Sequence, residues 1–293
     1  MARNLVIVRA GDESLHPAWL GNPGERNWDL IVNYFGDKPD LYRGEGIVRI
    51  DSKGPKWPAL HETISGLGDR LDEYDYIWLP DDDLACDVQT VNKFFEICAA
   101  LKLELAQPAL TLDSYVSYHF TIRNKFFQVR FNNFVEIMAP CFSRDFLKRC
   151  LPSFAANMSG WGLDFLWPTW IEDPAKIAVV DAAAVRHTRP FGGPNYNALK
   201  ERGVTAQEEL DALLEKEGVK FLKPMTRGGI DIQGNVHATW NGGHKGLIQA
   251  LMYGYLPEFG QHPPALFGII DPILDDLAKT AAAMALRGAG KQA

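Results

Sequence analysis

Three consecutive carboxylates, Asp81, Asp82 and Asp83, follow directly on Pro80 and the apolar run Tyr74 to Leu79 (YDYIWL). Adjacent acids repel one another, and keeping them ionised beside a buried strand end is costly unless a cation or hydrogen-bond donors compensate. Hard divalent ions such as magnesium or manganese take oxygen ligands, commonly one or two carboxylates together with phosphate oxygens, so a metal-diphosphate site is the chemistry the triplet suits. The plainer reading is a solvated acidic turn ahead of a helix that starts near Val88, with Asp87 placed as its cap. Position favours the metal site, because ligands of open α/β sheets bind beyond the carboxyl ends of strands.

A second strand pattern, Ile177 to Ala184 (IAVVDAAA), also leads into polar residues, Arg186 and His187, with Arg189 beyond. Arg186, Arg189 and Lys56 are candidates for diphosphate contacts, since a guanidinium fork matches phosphate oxygens; each serves equally well as a surface charge. Tyr115, Tyr118, His119 and Trp240 offer aromatic faces of the kind that pack on sugar C–H groups, or are core and rim residues. Neither a G-x-G-x-x-G nor a G-x-x-x-x-G-K-S/T phosphate loop is present.

The elements that must position these groups read as an alternation. Asn4 to Gly11 is a buried strand ending in a glycine turn, Trp28 to Tyr34 a second, and Gly46 to Ile50 a shorter third. Pro58 opens a helix over Ala59 to Leu71, Val88 to Leu101 is helical by period, and a helix from Asp145 to Cys150 is interrupted by Pro152. Leu105 to Gln107 and Phe134 to Ala139 (FVEIMA) read as further strands. Strands and helices thus alternate to about residue 190, which predicts a three-layer α/β sandwich. Beyond it lie a charged helix over 205 to 218, a glycine-rich, loop-like stretch over 224 to 246 and an alanine- and leucine-rich helix over 266 to 287. The expected division is a catalytic domain, 1–200, and a mainly helical C-terminal extension, 201–293.

With 46% apolar and 23% charged residues, the 293-residue chain is an ordinary globular protein able to bury a sizeable core. A net charge of −7 without a basic run argues against a nucleic-acid or anionic-membrane partner. No stretch approaches the roughly 20 apolar residues of a membrane span, and the N-terminus does not read as a signal peptide. Cys86, Cys98, Cys141 and Cys150 show no C-x-x-C pairing, which suits reduced, buried thiols in a cytoplasmic protein. Oligomerisation is left open.

The strand-then-acid pattern YDYIWLPDDDL resembles the Asp-x-Asp motif of GT-A-fold glycosyltransferases, and SGWGLDFLW is similar to their Gly-Trp-Gly-x-acid element. The ordered series of these two segments with LAQPAL, FVEIMAPCFSRD and VVDAAAVRHTRP resembles a plant and bacterial family, domain of unknown function 707, over about residues 3 to 195. The resemblance implies a GT-A-like (Rossmann-like) sandwich with a mixed, mostly parallel central sheet, a manganese or magnesium ion (Mn2+ or Mg2+) and a nucleoside diphosphate sugar as donor. It implies that Asp83 ligates the metal, that Asp81 lies near metal or ribose, and that His187 completes the metal shell. The middle acid, Asp82, departs from a plain Asp-x-Asp and leaves the register of ligation open. Arg9, with Ala10 and Gly11, falls where the nucleobase rests in such folds.

By the same resemblance Asp164 takes the proton from the acceptor hydroxyl in an inverting reaction, with Trp161 and Trp167 as apolar surroundings; otherwise it is an ordinary aspartate opening the helix FLWPTW. Trp161, Tyr118 and His119 then face the acceptor. The expected activity is sugar transfer to a hydroxyl of a saccharide or other acceptor. A sugar nucleotidyltransferase would want a glycine-rich basic loop after the first strand, and AGDESLHP is neither. A metal-dependent phosphohydrolase usually carries its acids after the first strand. A non-catalytic carbohydrate- or partner-binding protein on the same scaffold is the remaining alternative.

Overall fold

The computed structural model describes residues 3–22, 24–190, 203, 205–221, 223–259 and 263–289. The expected domain division between 200 and 201 lies outside the described residues.

The chain folds as a mixed α/β protein around one large sheet. Its strands are β1 (Asn4–Ala10), β2 (Trp28–Tyr34), β3 (Ile47–Asp51), β4 (Tyr76–Trp78), β6 (Leu105–Leu110), β7 (Phe127–Asn132), β8 (Cys141–Ser143), β9 (Ile177–His187), β10 (Thr226–Asp231) and β11 (Val236–Ala238). They lie in the order β11-β10-β7-β9-β6-β8-β4-β1-β2-β3, while β5 (Leu84–Ala85) pairs with the end of β9. Strands β7, β8 and β11 oppose the rest, so the sheet is mixed: the expected parallel pairing holds for β3-β2-β1-β4 and β6-β9, whereas the other neighbouring pairs are antiparallel.

Alternation along β1 explains the layers. Val6, Val8 and Ala10 point to one face, where α2 (Val88–Leu101) supplies Val91, Phe94, Phe95 and Cys98. Leu5 and Ile7 point to the other, against Trp57, Leu60 and Ile64 of α1 (Lys56–Ser65) and Phe146, Leu147 and Phe154 of α3 (Arg144–Ala155). Both faces are covered, which is why β1 reads as an unbroken apolar run. Each fully buried Leu, Ile or Phe of these layers stabilises the fold by about 1.5–3 kcal/mol.

Local signals set the boundaries. Asp87 caps α2 by accepting from the Thr90 amide at 2.8 Å, and Lys102 in a left-handed conformation (φ 50°) ends it. Helix α1 begins at Lys56 rather than Ala59, with Pro55 as its N-cap, so Pro58 falls inside the first turn and Lys56 at its start. A 3-10 helix, Gly68–Glu73, replaces the second half of the long helix expected there.

Three further expectations change. Helix α3 is not interrupted at Pro152 but runs through it to Ala155. Phe134 to Ala139 is not a strand but an irregular buried crossing from β7 to β8, because its apolar side chains are buried consecutively instead of on alternate positions. The stretch 224 to 246 is not a loop: β10 and β11 form a hairpin that continues the sheet beside β7. The C-terminal part is otherwise mainly helical, with α4 (Leu163–Leu166) of the preceding segment followed by α5 (Ala206–Glu217), α6 (His244–Phe259) and α7 (Pro263–Ala289). Leu247, Leu251 and Tyr255 of α6 and Ile269 and Ile273 of α7 share a core cluster with Ala109, Phe127 and Val179 of the sheet.

Candidate active site

Past β4 the chain stays extended to Asp81, which bridges to Arg9 of β1 and whose amide donates to the Met138 carbonyl at 2.8 Å. The next two acids then leave the sheet, and the three side chains diverge to three basic partners on different elements. Asp81 accepts from Lys56 Nζ at 2.5 Å, Asp82 from Arg189 Nη1 at 3.2 Å, and Asp83 Oδ2 lies 3.3 Å from His187 Nε2. Asp82 also accepts from the Gly11 amide at 2.8 Å, which ties the triplet to the loop after β1. Burial pushes the Asp82 carboxyl up to about 6 against the pull of Gly11 and Arg189.

His187 ends β9 and is placed by β5, where Leu84 pairs with it. Its Nδ1 lies 2.8 Å from the Tyr115 carbonyl, an arrangement that puts the proton on Nδ1 and turns Nε2 toward Asp83. Burial alone would lower the imidazole pKa, but the Asp83 and Tyr115 contacts outweigh it and the group is raised. Asp83 Oδ1 is buried without a hydrogen-bond partner. Asp83 and His187 thus present an oxygen and a nitrogen of the kinds a divalent cation takes, with Asp81 nearby. Among the described residues, no three His, Cys, Asp or Glu side chains enclose a metal by themselves.

The second acidic end is built by WGLD and FVEIMA. Gly160 and Gly162 adopt φ 89° and 94°, and a Cβ on Gly160 would stand 2.1 Å from Trp57 Nε1, so the sharp turn that carries Asp164 needs both glycines. Asp164, 7% exposed, opens α4 with Oδ1 unpartnered. Burial and then the neighbouring Glu136 push its carboxyl up to about 8. Glu136, 6% exposed, likewise has Oε2 unpartnered, and burial pushes it up to about 7. Its amide donates to Gln107 Oε1 at 2.6 Å, while the next carbonyl, Ile137, accepts from Lys56 Nζ at 2.8 Å. The crossing therefore braces both ends of the site.

Most of the expected residues meet in one cavity of about 540 Å³: Arg9, Lys56, Asp81, Asp82, Asp83, Tyr118, Trp161, Asp164, His187 and Arg189 all line it. Arg186 and His119 do not. Arg186 precedes His187 on a strand, so its side chain takes the opposite face, exposed and 3.4 Å from Asp113. His119 opens a 3-10 helix and is exposed. Tyr115 contributes its backbone carbonyl to His187, and Trp240 packs on Phe131. Arg9 is largely committed to the wall: it donates to Asn33, to Ser52 O at 2.8 Å and to Gly54 O at 2.5 Å. Burial lowers its guanidinium to about 10. Glu136 is the residue the sequence reading missed; an acid inside an otherwise apolar six-residue run was the signal available for it.

A model of the family described as a protein of unknown function (DUF707) matches residues 67–133, which include the aspartate triplet. No curated protein matches the chain. Among solved structures, TarS of S. aureus is similar at 8% identity and a TM-score of 0.41, with 63% of this chain and 59% of that one covered. The chain thus spans less than two thirds of that structure. Glucosyl-3-phosphoglycerate synthase from Mycobacterium tuberculosis, crystallised with Mn2+, UDP-glucose and phosphoglyceric acid, is similar at 15% identity and a TM-score of 0.45, over 81% of this chain and 86% of that one. Among the described residues, no helix is long and apolar enough to cross a membrane.

Proposed function

We propose that the protein is a metal-dependent glycosyltransferase that moves a sugar from a nucleoside diphosphate to an acceptor hydroxyl with inversion. The observation that carries this reading is the cavity itself, which is lined by Asp83, beside His187, and by the buried Asp164, each with one carboxylate oxygen that has no hydrogen-bond partner. Asp83 and His187, with Asp81, are the residues that would hold manganese or magnesium; when bound, the ion neutralises charge on the leaving diphosphate. Lys56 and Arg189 add cationic donors on that side, and Arg9 forms part of the wall that receives the nucleoside.

At the far end, ionised Asp164 takes the proton of the acceptor hydroxyl while the hydroxyl oxygen bonds to the anomeric carbon. The bond from that carbon to the diphosphate oxygen breaks, and its electron pair leaves with the diphosphate. Trp161 and Tyr118 provide faces for the acceptor ring beside the base. Helix α5 and the segment after it add Leu210 and Phe221 to the cavity lining on this acceptor side.

A panel of nucleoside diphosphate sugars with manganese tests the reading through thermal stabilisation and released nucleotide. One donor should stabilise the protein only with metal present, and Asp83→Ala should abolish that response with the fold intact. Unchanged manganese affinity in Asp83→Ala would remove the metal assignment.

A further inference from the structure

We propose that the Glu136 end of the cavity selects an acceptor carrying a protonated amine next to the hydroxyl that reacts. The proposal rests on the reading of Asp164 as the acceptor-side base. Its foundation is a difference between the five acids that line the cavity. Asp81, Asp82 and Asp83 each face a basic side chain, whereas Glu136 and Asp164 form no ion pair among the described residues. Each is more than nine-tenths buried, lines the cavity and keeps one oxygen without a donor.

A buried carboxyl pair ionises fully only when donors or a cation arrive; without them it keeps a proton. Tyr118, Trp161, Phe165 and Phe221 line the same cavity, and aromatic rings are compatible with a bound cation. An anionic acceptor would meet like charge in a poorly hydrated pocket. A neutral polyol would add hydrogen bonds but leave any charge on the pair uncompensated.

The mechanism gives the amine a second consequence. Burial and Glu136 hold Asp164 protonated near neutral pH, and a protonated acid cannot accept the hydroxyl proton. An ammonium bound to Glu136 offsets both influences and leaves Asp164 ionised as the acceptor docks. Among the described residues, Tyr118, His187 and Asp81 are the other titratable groups whose charge acts on the pair, and of these three His187 can bring positive charge; Lys56, which lines the same cavity and donates to the Ile137 carbonyl, is paired with Asp81. His187 is already engaged with Asp83 and Tyr115.

The test measures binding without donor, using the methyl glycosides of glucosamine, glucose and glucuronic acid as probes and ligand-observed NMR at pH 7. The amino sugar should bind roughly ten- to a hundredfold more tightly than the neutral one, the range of a charge-assisted hydrogen bond. The acidic sugar should not bind detectably. In Glu136→Gln the ratio of amino to neutral affinity should fall to near one. Equal affinities in the unaltered protein, or a preference for the acidic sugar, overturn the proposal whether or not the variant folds. A ratio that survives in folded Glu136→Gln overturns it too. Because no donor is present, these results stand apart from the transfer reading, which fails only if no nucleotide sugar is bound or turned over.

Discussion

Two regions of this molecule bury charge, and they settle it in opposite ways. Arg130 on β7 and Asp181 on β9 are both fully buried and meet through two bonds of 2.8 Å, Nε to Oδ2 and Nη2 to Oδ1. The remaining guanidinium donors reach the carbonyls of Phe120 and Ile122, and the Asn124 amide donates to Asp181 at 2.7 Å. Burial pushes the Asp181 carboxyl up against the pull of the two-pronged guanidinium, while Asp181 outweighs burial at Arg130 and holds that group above its ordinary value. About 540 Å³ of cavity separates the other case from any such completion: Glu136 and Asp164 are nearly as buried and keep free oxygens. A completed network fixes the fold; an incomplete one beside open space marks where something must arrive.

The sharpest way to break this comparison is Asp164→Asn. The amide keeps size and most hydrogen bonds but cannot take a proton, so turnover should fall about a hundred- to ten-thousandfold with donor affinity nearly unchanged. Near-normal product formation would put Asp164 outside the mechanism. Next, Arg130→Met should destabilise the protein by about 3–5 kcal/mol in denaturant unfolding, because it strands Asp181, while the folded fraction keeps its donor affinity. If stability were unchanged, the network would not be structural.

The pH dependence of stability sharpens the contrast further. Asp164 and Glu136 have raised pKa values in the folded state, so between about 4 and about 7–8 the folded protein holds protons that the unfolded chain has released. Stability should therefore decline as pH rises through that window, by no more than about 1.4 kcal/mol per pH unit for each carboxyl. Asp164→Asn should flatten the decline in urea titrations at several pH values. The smallest effect belongs to Arg186→Ala, which removes one exposed pair with Asp113 and should change stability by less than about 1 kcal/mol. Lost donor binding in that variant would return Arg186 to the site.

How far the sequence revealed all this depends on how each residue meets the chain. The aspartate triplet was legible because a strand that ends in charge has few structural uses, and the structure places those acids on the cavity. Its differing roles were not, since divergence depends on partners from α1, β9 and the loop after β1. Glu136 was hidden because an acid within Phe134 to Ala139 looks like one polar position of a strand, and only the three-dimensional crossing shows that it faces open space. Strand β10 was hidden by its glycines. A Cβ at Gly228 would lie 2.7 Å from the His237 carbonyl, and one at Gly229 2.7 Å from the Val129 carbonyl, so residues that signal a loop are here what permits close strand packing. Likewise the offset in β9, whose pairing with β6 jumps from Pro108–Val180 to Ala109–Ala184, gives Asp181 its place and cannot be read from alternation.

Tyr255 closes the Arg130 network from the far end of the chain: its hydroxyl donates to the Ile122 carbonyl at 2.8 Å, and its ring lies 5.6 Å from the guanidinium. During synthesis, all of β7 and β9 is therefore polymerised more than sixty residues before this covering side chain. Until then the growing polypeptide holds a charge pair with one flank open to water, and β7 has an edge awaiting β10. Completion of the sheet is thus a late event in the life of the nascent chain, and a translational pause ahead of Tyr255 would prolong the interval in which that edge is available to other polypeptides.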